Sequence, residues 1–474
     1  MRVSLAGGGA KETLDPAKTV SITESILSGA LYDGLIRLQR GRHWVAQPLL
    51  ATKWTHNADL TEWNFRLRDD VRFRDGGALS SKDVVYTIQR VLDPEVGAII
   101  FGRLSTVLDP DGVTAAGPHA VRFKLKQPDA FFPVAMGARH TKIVPEGTED
   151  FSTAPGTGPF KLERFEPGQG FELSKNAKYW NPEVPNLDGL RCAYSTEQAT
   201  LVQGVLSGDT DFAGSLDYSA VPTVKGRSEA VLTPDQGALF SDIVADPRHA
   251  PFDDPRVIKA LKLTLDRKRV REVVQQGYGI LTTDVPVRSN DEFYPSSLGV
   301  RAQQLEEAKR LLAEAGHPNG VETTLFTSSV GPGMVDLATI VAEQAKEGGF
   351  RIKVQQRPAD TYFDRVYMKE PFFVTYWILR HPFDAISVTF GSKSPVNESH
   401  YEDPKLDALL SKAQRSAEVA GQKAALGDAQ IRVADNAGWL CPTLGAALYV
   451  HKPQARGVAF NPTDIVNFEQ ATVA

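Results

Sequence analysis

Apolar and polar positions alternate with period two through EWNFRLRDDVRFRDG (62–76), around Trp63, Phe65, Leu67, Val71 and Phe73. HAVRFKLKQP (119–128) repeats the pattern with Val121, Phe123 and Leu125. This is the period of half-buried strands. Between them, SSKDVVYTIQRVLDP (80–94) shifts to the helical period, with Val84, Ile88 and Val91 on one face and Pro94 as the stop. The first half therefore predicts strands and hairpins mixed with helices.

The second half alternates more regularly. In DDPRVIKALKLTLDRKRVREVVQQGYG, Asp254 is placed to cap a helix with Pro255 at its first position, Asp266 to cap a second segment, and Gly277 to end it. QQLEEAKRLLAEAGHP predicts another helix, with Leu305, Leu311 and Leu312 inward and Gly316 and Pro318 as stop signals. There follow a strand over 321–327, a helix around 334–346, a strand over 350–356, a short helix around 361–368, and a strand in FFVTYWILRHPFDAI (372–386). Strands that alternate with helices predict right-handed crossovers and a largely parallel sheet. The last strand is apolar at nearly every position, as a strand covered on both faces should be. In such sheets ligands lie outside the carboxyl ends of the strands. Arg380 and His381 occupy that end of one strand, and the loop TSSVGPGM (327–334) that of another. Both are positioned to line a cleft, although a plain connector also explains the loop.

A chain of 474 residues predicts two or three domains. A hydrophobic fraction of 42% and a charged fraction of 23% are those of a globular protein. The formal net charge of -5 supplies no basic face for nucleic acid. No apolar run reaches the ~18 residues of a membrane span. Two cysteines, Cys192 and Cys441, are too few for a disulfide framework or a zinc site. They form either one bridge or two buried thiols.

Enzyme signatures are missing: no HExxH helix, GxSxG elbow or P-loop occurs, and AGGGA (6–10) lacks dinucleotide spacing. The histidines, at 43, 56, 119, 140, 249, 317, 381, 400 and 451, form no local metal-ligand pair. His381 and His400 stand out because both lie near the 372–386 segment. No catalytic residue, metal site or cofactor is expected.

Four stretches carry a resemblance. WNFRLRDDVRFRDGGALSSKDVVYTIQRVLDP, GTGPFKLERFEPGQGFELSKNAKYW (156–180), DPRVIKALKLTLDRKRVREVVQQGYG and NESHYEDPKLDALLSKAQ (397–414) occur in that order. Together they resemble the extracytoplasmic solute-binding proteins of peptide- and nickel-type ABC importers, bacterial family 5. The likeness runs from Leu14-Asp15-Pro16 to near the C-terminus. It implies an α/β, two-lobed periplasmic-binding-protein fold, class II, with an additional subdomain in the first lobe. Lobe one would comprise 1–40, 155–240 and 451–474, the subdomain 41–154, and lobe two 241–450. The ligand would lie between lobes that close by a hinge. The family delivers captured solute to a membrane permease, so the implied partners are a small-molecule solute and ABC permease subunits, with a monomeric protein in the periplasm or at the extracytoplasmic surface. The start MRVSLAGGGAKETLDP has no hydrophobic signal core, which the resemblance explains as removal of the signal.

The segment around Trp377 bears on the ligand. In peptide-binding members the matching stretch resembles Trp-x-x-Asp-Tyr, and its aspartate pairs with the ligand's free α-ammonium. This chain reads Trp377-Ile378-Leu379-Arg380-His381. Two like charges about 4 Å apart at an effective dielectric near 20 repel by roughly 4 kcal/mol, a penalty of about a thousand-fold in affinity. The exchange argues against an ordinary free-amine peptide and for a small neutral or anionic organic compound held by the planar guanidinium fork. Arg380 either contacts ligand or pairs with Asp384, Asp360 or Glu398. Trp377 is a cleft wall or a core side chain, and His381 donates to a ligand oxygen or faces a loop. Phe240 and Ser241 are hinge or cleft candidates. Thr23 and Ser25 either point into the cleft or cap the first helix. Asn397 and Tyr401 complete the set. Competing readings are a di- or oligopeptide binder, a metal-chelate binder, a peptide-holding chaperone, and a hydrolase on the same scaffold.

Overall fold

The computed structural model describes residues 1–39 and 44–473. The 40/41 boundary drawn above and His43 lie outside the described residues. The chain divides into two compact units, Met1–Thr233 with Leu448–Ala474, and Pro234–Ala447.

In the first unit, strand Arg2–Ala6 runs parallel to both Gly189–Ser195 and Phe212–Leu216. Gly170–Lys175 and Phe160–Glu166 extend the sheet antiparallel on one side. On the other, the end of Thr443–His451 pairs with Phe212–Leu216, with Ala213 opposite Val450. Helix Ile22–Leu31 is buried almost throughout and starts from a reciprocal cap between Ser21 and Glu24. Its Gly29 is required by packing, since a Cβ there would stand 2.8 Å from Asp464 Cβ.

A separate antiparallel sheet in this unit runs in the order Ala51–His56, Glu62–Leu67, Ala120–Leu125 and Leu108–Gly117. The predicted helix is present as Ser81–Val91. The alternation through 62–76 gives only the strand Glu62–Leu67. Val71 and Phe73 are buried, but from a tight turn in which Phe73 N donates to Gly77 O at 2.8 Å. Asp75-Gly76-Gly77 supplies the turn, so burial of alternate residues occurs there without a ladder.

The second unit holds the parallel strands Phe350–Gln356, Val321–Thr327 and Phe372–Ile378. Strand Val231–Ala245 joins Phe372–Ile378 antiparallel, with Asp242 opposite Thr375. The sheet is thus less parallel than the alternation predicts. Crossover helices impose parallel pairing only on the strands they connect, and Val231–Ala245 precedes the first of them. Helices Pro255–Leu263 and Arg267–Val274 start at Asp254 and Asp266, each side chain accepting from a first-turn amide. The second helix stops at Gln275, before Gly277. The buried Lys262 ammonium donates to the carbonyls of Ala434 and Ala437 at 2.8 and 2.7 Å, closing the C-terminus of helix Val419–Asn436. Cys192 and Cys441 are both free and buried.

Candidate ligand-binding site

Val321–Thr327 and Phe372–Ile378 run parallel and end at one edge of the second unit's sheet. The 328–333 loop follows the first strand and Leu379-Arg380-His381 the second. Phe240 and Ser241 reach the same edge, because they lie in register with Trp377 and Tyr376. Ser241 Oγ donates to Pro332 O at 3.0 Å and ties the loop to the sheet. Gly331 belongs to this approach: a Cβ there would come within 2.5 Å of the Tyr376 ring.

Side chains alternate along a strand, so Phe240, Asp242, Thr375 and Trp377 share the face opposite to Ser241 and Tyr376. On that face the half-buried Trp377 is held at two places. Its Nε1 donates to Glu398 Oε1 at 2.9 Å. Its ring carries the Arg380 guanidinium, whose carbon lies 4.6 Å from the ring centre. Arg380 is itself half-buried. Among the described residues it makes no ion pair within 4 Å and donates no hydrogen bond, so Asp384, Asp360 and Glu398 are not direct partners. Burial pulls its pKa below the ordinary value, opposed from longer range by Asp384, Tyr367 and Glu398.

Behind Trp377 lie two carboxyls that the residue pattern did not single out as a pair. Asp242 is 0% and Glu398 1% exposed. Burial, then the neighbouring Glu398, pushes Asp242 well above the usual carboxylate range. Burial also raises Glu398, to about 7, against the opposing pull of the Trp377 and Trp439 indoles, Tyr367 and Arg380. Both oxygens of Asp242 and Oε2 of Glu398 have no hydrogen-bond donor among the described residues. The sequence held one signal for this site: Asp242 is a carboxylate inside the apolar run ALFSDIVA (238–245).

The other candidates have local tasks. Asn397 Nδ2 donates to Tyr401 O at 2.9 Å and its Oδ1 accepts from Tyr401 N at 3.2 Å, closing the turn that presents Glu398. Tyr401 OH donates to Asp403 at 2.5 Å. His381 caps helix Pro382–Phe390, its Nδ1 accepting from Phe383 N at 3.2 Å, and its ring lies 5.3 Å from Phe293. Phe240 is buried with its ring edge-to-face on Trp439. His400 stands 3.9 Å from Asp246. In the first unit, Thr23 Oγ1 donates to Glu12 at 2.6 Å and Ser25 Oγ to Ser21 O at 2.8 Å, both in the first turn of their helix. Among the described residues no group of three His, Cys, Asp or Glu side chains is placed to hold a metal ion, and no helix is long and apolar enough to cross a membrane.

Residues 45–398 match the bacterial extracellular solute-binding proteins, family 5 Middle. The glutathione-binding protein GsiB of Shigella flexneri serotype 5b (strain 8401) is 24% identical, over 99% of this chain and 94% of that protein. Among solved structures, the PBP AgaA in complex with agropinic acid, from A.tumefacien R10, superimposes with a TM-score of 0.83 at 21% identity, covering 100% of this chain and 98% of that one. DppA from Helicobacter pylori, an ABC transporter-associated periplasmic binding protein in complex with the peptide STSA, gives 0.83 at 21% identity, covering 99% and 98%. The fold is therefore the α/β periplasmic-binding type, class II. With three-quarters of its length inside the family's match, the chain belongs to the bacterial extracellular solute-binding proteins, family 5, the solute-capturing components of ABC importers.

Proposed function

We propose that this protein captures a small neutral or anionic organic solute, with a carboxylate or similar oxygen-rich group on Arg380, and passes it to an ABC-type permease on the extracytoplasmic side of the membrane. The two compact units are read as the two lobes. One observation carries the choice of ligand: the Arg380 guanidinium rests on Trp377, half-buried, with no ion-pair partner within 4 Å among the described residues. A partly desolvated cation held over an indole retains its planar fork for an incoming carboxylate. AgaA, whose structure holds agropinic acid, shows that an acid is within the chemistry of a protein of this fold.

No chemistry on the solute is proposed, since capture needs only the cation, the aromatic wall and the neighbouring loop. The second reading is a peptide ligand, favoured by the likeness to GsiB across nearly the whole chain. Native mass spectrometry of the purified protein, followed by calorimetry with whatever co-purifies, separates the two. A bound acid without a free α-ammonium supports the proposal. A tightly bound free-amine peptide overturns it.

A further inference from the structure

Asp242 and Glu398 come from the Val231–Ala245 strand and from the turn closed by Asn397 and Tyr401. Both are buried, Asp242 on the sheet face that carries Trp377 and Glu398 bonded to the indole of that same residue, and the charge of Glu398 acts on Asp242. Asp242 Oδ1, Asp242 Oδ2 and Glu398 Oε2 have no donor among the described residues. Two ionised carboxylates so placed would repel and remain unsatisfied. One shared proton removes the repulsion and supplies the missing donor. The remaining Glu398 oxygen, Oε1, accepts from the Trp377 indole. The opposite side of that contact is the ring on which Arg380 lies.

We propose that Asp242 and Glu398 share one proton, and that through the indole of Trp377 this pair positions Arg380, making Glu398 a positioning residue for solute capture. The inference rests on the reading of Arg380 as a ligand contact, but its structural half can be tested without ligand. The titratable and charged groups around the pair act in known directions. Tyr367 faces Glu398, and burial raises both it and Tyr362, which therefore stay neutral. Cys441, behind Asp242, is likewise raised by burial and stays a thiol. Arg380 favours ionisation of Glu398, while Asp384 favours the charged form of Arg380. Glu398 is thus the member that ionises near neutral pH, with a midpoint of about 7. Its negative charge would strengthen the indole N–H contact and draw on Arg380, so an anionic ligand should bind less tightly above that midpoint than below it.

The test is nuclear magnetic resonance of two N–H groups in the ligand-free protein: the Trp377 indole, assigned with Trp377→Phe, and the Arg380 Nε–H, assigned with Arg380→Met. In the wild type both resonances should move together as pH crosses about 7. In Glu398→Gln neither should titrate, and the ring-current shift of Arg380 should persist. In Glu398→Ala, checked for native circular dichroism, that ring-current shift should fall. In Asp242→Asn the midpoint should drop, because the repelling neighbour is gone. Resonances that do not move across neutral pH in the wild type, or that move alike in Glu398→Gln, overturn the proposal. Calorimetry with agropinic acid at pH values on either side of the midpoint then tests the ligand half alone. A titrating indole together with an affinity unchanged in Arg380→Met would sink the reading of Arg380 and leave the carboxyl pair standing.

Discussion

The guanidinium of Arg380 lies 4.6 Å from the centre of the Trp377 ring, with no ion-pair partner within 4 Å among the described residues. The contact places the guanidinium over the ring and leaves its N–H groups without a hydrogen-bond acceptor among the described residues. If a ligand carboxylate completes them, Arg380→Met should weaken binding of that ligand by about 10- to 100-fold, the worth of roughly 1.5–3 kcal/mol for a charge-assisted hydrogen bond. Arg380→Lys should restore only part of the loss, because an ammonium cannot offer the planar fork. Isothermal calorimetry on the three proteins measures both effects.

The buried carboxyls predict the pH dependence of stability. An unfolded glutamate titrates near ~4.3, whereas burial holds folded Glu398 at about 7. Between those values the folded chain keeps a proton that the unfolded chain has lost, so stability falls as pH rises through the window. Asp242 acts in the same sense, as does Asp33, which burial raises to about 6. The thermal midpoint should therefore be higher at the acid end of the window than at its alkaline end. Glu398→Gln should flatten that slope, because one of the three groups no longer titrates. A steeper slope in the variant would count against the assignment.

A second buried network ties the first unit together. Lys142 Nζ is 2.5 Å from Asp464 Oδ1, with their side chains 1% and 0% exposed. Arg37 joins Asp464 at 3.1 Å and also pairs with Glu469. Burial alone would raise Asp464, but Lys142 and Arg37 hold it down at about 2. Asp464→Asn strands a buried ammonium and should cost about 3–5 kcal/mol in urea unfolding. The double change Lys142→Met with Asp464→Leu should cost less than the single one, since no uncompensated charge is left inside.

Much of this architecture is legible in the sequence. The strands Val321–Thr327 and Phe350–Gln356 and the caps at Asp254 and Asp266 stand where period and capping chemistry place them. These are local features, and local features leave a pattern. Long-range pairing leaves none. The antiparallel entry of Val231–Ala245 sets Asp242 opposite Thr375, 133 positions on, and Asp242 and Glu398 are 156 positions apart, with neither carboxyl in a motif. Arg380 was visible because a cation follows an apolar strand. Its stacking on Trp377 was not, because a nearby carboxylate offers the same sequence pattern an equally good partner. His381 adds a task that the pattern leaves unsaid: its Nδ1 accepts from the Phe383 amide and caps a helix.

The two thiols give a simple check on packing. Cys192 and Cys441 are free and buried, and burial raises both well above the ordinary thiol value. Neither should react readily with a thiol reagent in the native protein, and both should react once it is unfolded. Fast labelling of either residue under native conditions would place it at a surface that the packing does not show.

The central claim is that Arg380 turns this binding site from ammonium towards acid. Its most direct test is calorimetric titration of the wild type and of Arg380→Asp with two probes, the acid that co-purifies with the protein and a free-amine dipeptide. The wild type should bind the acid and reject the dipeptide, and the charge exchange should reverse that order. Tight binding of the dipeptide by the wild type, with an affinity that Arg380→Asp leaves unchanged, would contradict it.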